Sequence, residues 1–165
     1  MRHITRWFSA FCSVSLLLAS FTAKGFAKDP NCSEIGGTIL TNVGGFGTTN
    51  GNPTTMGVAT GDLKGAVGVE IVGVSPDGTT VTVQHHWVTD TGETLAIDKA
   101  QAHGMYVNQQ GLLAITDYKI HLTGGTGRFL DATGDMTAIG EVDFGNGHVV
   151  LRYSGTVCHN SSEKH

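Results

Sequence analysis

Glu70 and His85 lie on either side of the turn in GVEIVGVSPDGTTVTVQHHWV, Gly68 to Val88. Asp77-Gly78 suits a two-residue hairpin turn that needs positive φ. Counting outward from it pairs Val74 with Val81, Val72 with Val83, Glu70 with His85 and Gly68 with Trp87. Side chains alternate along a strand, so all eight share one face. A carboxylate beside an imidazole among valines, with Trp87 as neighbour, fixes the ring tautomer and forms an acid–base couple. The same placement also describes a buried ionic pair at the end of a sheet, and the sequence supplies no substrate to decide between the two.

Three other groups could touch a ligand. QQG, Gln109 to Gly111, reads as a turn that sets Met105 against Ile115 and His103 against Asp117, a second imidazole–carboxylate pair. A slip of one residue would overturn that pairing. Tyr153 falls on the apolar face of the last hairpin, where its hydroxyl needs a partner, from a ligand or from the core. Tyr106 and Tyr118 cannot be assigned to a face. With one His in the leader, seven of the eight histidines remain, which invites a metal. His85 and His86, however, point to opposite faces, and QHHWVTDTGE lacks the His-x-His pattern of a cupin. Convergence of Glu70, His85 and His103 would be needed, and spacing alone does not supply it. No metal or other cofactor is expected, and no nucleophile-elbow motif is present.

These groups need a scaffold, and its elements are strands. Glycine punctuates short alternating segments rich in Val, Thr and Ile. Strands are predicted near 36–43, 57–64, 66–74, 80–88, 93–107, 112–123, 135–144 and 147–158, the fifth open to a bulge. DTG, Asp90 to Gly92, would set Trp87 opposite Leu95 and His85 opposite Ile97. Asn146-Gly147 would pair Phe144 with Val149, Val142 with Leu151 and Gly140 with Tyr153, leaving Glu141 opposite Arg152 on the other face. Residues 44–55 (GGFGTTNGNPTT) read as a flexible loop and 160–165 as a polar tail. Eight antiparallel strands with joined ends predict an all-β, closed barrel with a pocket; a sandwich is the alternative.

The first 27 residues read as a secretory signal: Arg2 and Arg6, an apolar run, then Gly25 and Ala27 at small-residue positions. Cleavage leaves 165 − 27 = 138 residues as one domain, 28–165, and removes three basic residues and no acidic ones, so net charge moves from −4 to −7. That balance argues against nucleic acid and anionic membrane surfaces as partners. The product is expected to be exported, periplasmic or extracellular, and free of the membrane. Two cysteines remain, Cys32 and Cys158, and in an oxidising compartment they read as one disulfide joining first and last strands.

GGTGRFLDATG, Gly124 to Gly134, could pass for a phosphate cradle. A Walker loop needs Lys and Ser or Thr after its last glycine, and a dinucleotide fingerprint needs a glycine where Leu130 stands. The run is therefore a turn between strands, with Phe129 folded onto the barrel end. This stretch, followed by GHVVLRYSGTVC, resembles bacterial secreted members of the allene oxide cyclase-like barrel group, whose plant relatives include allene oxide cyclases and dirigent proteins. In that group a Gly-Thr-Gly-x-Phe stretch precedes one of the last strands of an eight-stranded barrel. The resemblance covers about the C-terminal third and carries no catalytic residue. It implies the fold, a cavity for a hydrophobic or phenolic small molecule, and homo-oligomers of the kind found in the plant relatives. Three functions compete: a cyclase, isomerase or lyase working by confinement with help from Glu70 and His85, a non-catalytic carrier of an apolar ligand, and a structural envelope protein.

Overall fold

The computed structural model describes residues 31–49, 51–108 and 111–159. The leader (1–27), the tail (160–165) and the turn residues Gln109 and Gln110 lie outside the described residues. Nine strands follow in order: β1 (Cys32–Thr49), β2 (Asn52–Ala59), β3 (Gly65–Val74), β4 (Thr80–Thr89), β5 (Thr94–Ile97), β6 (Ala100–Tyr106), β7 (Leu112–Gly125), β8 (Thr133–Asp143) and β9 (His148–Cys158). Each pairs antiparallel with its neighbours, and β9 returns to β1, so the sheet closes. β5 and β6 both lie between β4 and β7, as two pieces of one broken strand. The architecture is an eight-stranded closed barrel with one position filled twice. Closure gives each of these strands a partner on both sides.

The seam is held by sulfur. Cys32 and Cys158 face each other in register and form a disulfide with Cα atoms 3.9 Å apart. The segment expected as a loop from 44 to 55 instead extends β1 and β2 into a long hairpin, with Thr48 opposite Pro53 and Thr49 opposite Asn52. The strand expected from 57 ends at Ala59, and Gly61–Leu63 form a short 3-10 turn.

That turn and a second one close the end that carries the disulfide. The Trp87 indole N–H donates to the Leu63 carbonyl (2.8 Å), the Leu63 N–H donates to the Tyr153 hydroxyl (3.0 Å), and that hydroxyl donates to the Thr60 carbonyl (2.9 Å). The turn approaches β1 so closely that a Cβ on Gly37 would sit 1.9 Å from the Thr60 oxygen, which explains a glycine there. The run GGTGRFLDATG joins β7 to β8 through the 3-10 turn Gly127–Phe129, and Phe129 is buried. Leu95, Leu122, Met136 and Val157 are buried in the core as well. The turn reading therefore stands.

Two irregularities decide which side chains reach the interior. In β3, pairing with β4 shifts between Ile71 and Gly73, so Val72 is an extra residue. In β7, pairing shifts between Ile115 and Asp117, so Thr116 is extra. A bulge of one residue reverses the face of everything beyond it.

Candidate functional site

Inward residues fill the disulfide end of the barrel and leave a cavity of about 70 Å³ towards the other. Most of its wall is aliphatic, with Val67, Val69, Ile71, Val83, Ile115 and Leu151 among the lining residues. Four lining residues carry polar groups: Thr41, Thr55, His85 and Tyr118. The mouth is apolar as well. Phe144 lines the cavity yet is 42% exposed, and Val74 and Tyr106, at the same end of β3 and β6, are 58% and 47% exposed.

His85 is buried, and its Nε2 lies 2.6 Å from the Tyr118 hydroxyl, with the two rings stacked at 5.7 Å. Burial in this dry wall, with a smaller contribution from the charge of neighbouring His86, pulls the His85 pKa down to about 4. Burial likewise raises the Tyr118 phenol far above its usual range. At neutral pH both are uncharged, and one hydrogen bond joins them. Among the described residues, His85 Nδ1 and Thr55 Oγ1 are buried without a hydrogen-bond partner.

The expected Glu70–His85 pair does not form. Val74 meets Val81 as counted from the Asp77-Gly78 turn, but the bulge at Val72 puts Ile71 opposite Val83, Val69 opposite His85 and Val67 opposite Trp87. Glu70 faces Gln84 and Thr54 on the side away from the cavity, where it is nonetheless buried and accepts a hydrogen bond from the Asn52 side-chain amide (2.7 Å). Its place beside His85 is taken by Tyr118, which the bulge at Thr116 turns inward. The sequence carried a signal for both. In β7 the apolar spacing lengthens from two to three between Ile115 and Tyr118, and in β3 the face of Val67, Val69 and Ile71 is wholly aliphatic.

The other candidates divide. Trp87 pairs with Leu95 as read, is buried, and packs edge-on against Tyr153 at 5.7 Å. Neither lines the cavity; both hold the closed end. His85 does not meet Ile97, because the strand breaks at Asp98-Lys99 and the Gln84 amide takes the Ile97 carbonyl (2.9 Å). His103 does stand opposite Asp117, while Met105 meets Ala114 rather than Ile115. That pair is on the outer wall, where Thr80 Oγ1 is 3.0 Å from His103 Nδ1. Glu70 and His103 thus lie outside and His85 inside, so the three cannot share an ion. Among the described residues no three His, Cys, Asp or Glu side chains gather.

The last hairpin slips by two residues. Val142 meets Val149, Gly140 meets Leu151 and Ala138 meets Tyr153. The cause is a four-residue loop, in which the Asp143 carboxylate accepts from the Asn146 N–H (2.9 Å) and side-chain amide (2.7 Å). Glu141 therefore faces Val150, and Arg152 faces Ile139. A slip of two keeps every side chain on its expected face.

No protein-family model matches the chain, and no curated protein matches it. Among solved structures it is similar to the pterocarpan synthase dirigent protein GePTS1, at 15% identity over 81% of this chain and 88% of that one, with a TM-score of 0.37. The pterocarpan synthase dirigent protein PsPTS1 is similar at 14% identity over 82% and 99%, with a TM-score of 0.35. Both are named as dirigent proteins. The closed barrel itself rests on this chain's own strand pairings.

Proposed function

We propose that the protein is an exported barrel whose lumen receives a small, mostly apolar or phenolic molecule and orients it by a few hydrogen bonds. One observation carries this reading: an aliphatic cavity open at an apolar mouth and lined by the buried His85–Tyr118 pair. The disulfide suits an oxidising compartment. Among the described residues no helix is long and apolar enough to cross a membrane.

The pair is better suited to binding than to moving protons at neutral pH. A general acid or base works best with a pKa near the working pH. His85 lies well below that and Tyr118 well above. Any turnover, such as cyclisation, isomerisation or elimination, would come mainly from confinement of a reactive conformer. A carrier needs nothing further.

A second reading has its own support. About 70 Å³ is small beside the roughly 300–1,000 Å³ of small-molecule pockets, which favours a barrel filled for its own stability. Native mass spectrometry of the secreted protein, followed by identification of any released compound, separates the two. A retained small molecule that Tyr118→Phe binds more weakly supports the ligand site. Protein that leaves the cell empty and binds no member of an apolar and phenolic compound set supports the structural barrel.

A further inference from the structure

Among the described residues the inner wall carries two buried polar atoms without a partner, and they lie in one cross-strand row. Thr55 pairs with Val69, and Val69 pairs with His85. All three line the cavity, with the two polar side chains flanking the valine. Thr55 and His85 are each 5% exposed, and Thr55 Oγ1 and His85 Nδ1 have no partner. A buried polar group without a partner is costly, so such a group calls for a ligand or a reason.

The hydrogen on the imidazole can be placed by counting. A neutral ring has one donor nitrogen and one acceptor nitrogen. If the Tyr118 O–H donates to Nε2, the ring hydrogen sits on Nδ1 and a single donor is left over. If Nε2–H donates to Tyr118 instead, both the phenol hydrogen and the Nδ1 lone pair are stranded. The first arrangement leaves fewer groups unsatisfied. The wall therefore offers two donors, His85 Nδ1–H and the Thr55 hydroxyl.

We infer that the lumen receives a neutral molecule through its carbonyl oxygen, which accepts from His85 Nδ1 and from the Thr55 hydroxyl. The inference rests on the reading of the lumen as a ligand site. A carbonyl oxygen has two lone pairs and no hydrogen of its own, so both wall donors are satisfied with nothing left over. An alcohol or phenol brings a third hydrogen and leaves one without an acceptor. A carboxylate finds no Lys or Arg among the lining residues, and an unpaired buried charge is heavily disfavoured. The cavity is too small to enclose a ring-sized guest. The carbonyl enters first, and the apolar remainder stays towards the exposed Phe144.

Four compounds of one shape test this: acetophenone, its hydrocarbon counterpart α-methylstyrene, 1-phenylethanol and benzoate, each titrated into the protein at pH 7 by calorimetry. Acetophenone is expected to bind about tenfold more tightly than α-methylstyrene, a factor set by one or two hydrogen bonds. 1-Phenylethanol should fall between them, and benzoate should not bind. Thr55→Val and His85→Gln should each remove most of the preference for acetophenone and leave α-methylstyrene unchanged, whereas Thr55→Ser should retain it. Gln at position 85 can still meet Tyr118 but offers no donor at the Nδ1 position, and circular dichroism confirms that each variant is folded. Equal binding of acetophenone and α-methylstyrene, or a parallel loss of both in the variants, overturns the carbonyl inference and leaves the ligand site standing. Failure of all four compounds to bind overturns both.

Discussion

Acid should weaken this barrel in a window that belongs to His85. In the unfolded chain the imidazole titrates near 6.5, whereas in the wall burial holds it at about 4. The folded value is the lower one, so below pH 6.5 the unfolded state binds the extra proton and stability falls with pH. The contribution is fully present above about 6.5 and is lost as pH drops towards 4. Linkage gives a loss of about 2 kcal/mol between pH 7 and 5 and about 3 kcal/mol by pH 4. Hydrogen bonds, from Ser75 to Asp77, Thr91 to Glu93 and Asn146 to Asp143, lower those carboxyl pKa values, so their contributions are present above the ordinary carboxylate range and are lost only as pH falls through it and below. The exposed His121 is raised by its hydrogen bond to Asp135, so its contribution is present at low pH and lost as pH rises through its folded value. Urea unfolding at pH 7, 6, 5 and 4.5 reads the window directly, and His85→Gln supplies the control. The wild-type midpoint should fall steadily across it, while that of the variant stays nearly flat down to pH 5. Parallel curves for the two proteins would mean that His85 is not held neutral in the wall, and the account of the site would fail with it.

Three further outcomes follow from the same contacts. Tyr118→Phe removes the hydrogen-bond partner of His85 Nε2 among the described residues and should cost about 1–3 kcal/mol in urea unfolding. Thr55→Val replaces an unpaired buried hydroxyl by a methyl and should raise stability by about 1 kcal/mol, measured the same way. Cys32→Ser opens a loop whose ends are 126 residues apart and should lower stability by about 5 kcal/mol in the chain-entropy model. Peptide mapping without reductant should show Cys32 joined to Cys158 in the unaltered protein.

What could be read from the chain, and what could not, follows from the period of two in a strand. The disulfide between the ends, the glycine-rich turn and most of the strands are local or arithmetic features and appear in the structure, whereas the loop read at 44–55 belongs to the β1–β2 hairpin, the strand read at 57–64 stops at Ala59, and the one read at 93–107 is broken in two. The hairpin at Asn146-Gly147 was misjudged by two residues because an Asp143 side chain widens the turn, yet Val142, Val149, Leu151 and Tyr153 keep their expected faces. The hairpin at Asp77-Gly78 departs from the count by one residue beyond Val72, and that smaller shift exchanges a glutamate for a tyrosine beside His85. Distance along the chain was therefore a poor measure of how far wrong a pairing was; parity decided it. Parity was also the more legible quantity. Val67, Val69 and Ile71 mark the inner face of β3 without any count from the turn, and Glu70 stands between two of them. A glutamate placed inward would have left an ionisable group on a wall that is otherwise aliphatic, with only a neutral imidazole to meet it. The phenol of Tyr118 can enter such a wall because it gives one hydrogen bond and carries no charge, and the wall in turn keeps His85 neutral. The bulges and the polarity of the lumen are thus one arrangement: a regular ladder, with Val72 or Thr116 drawn into the pairing, would bring an acid, Glu70 or Asp117, to face the cavity.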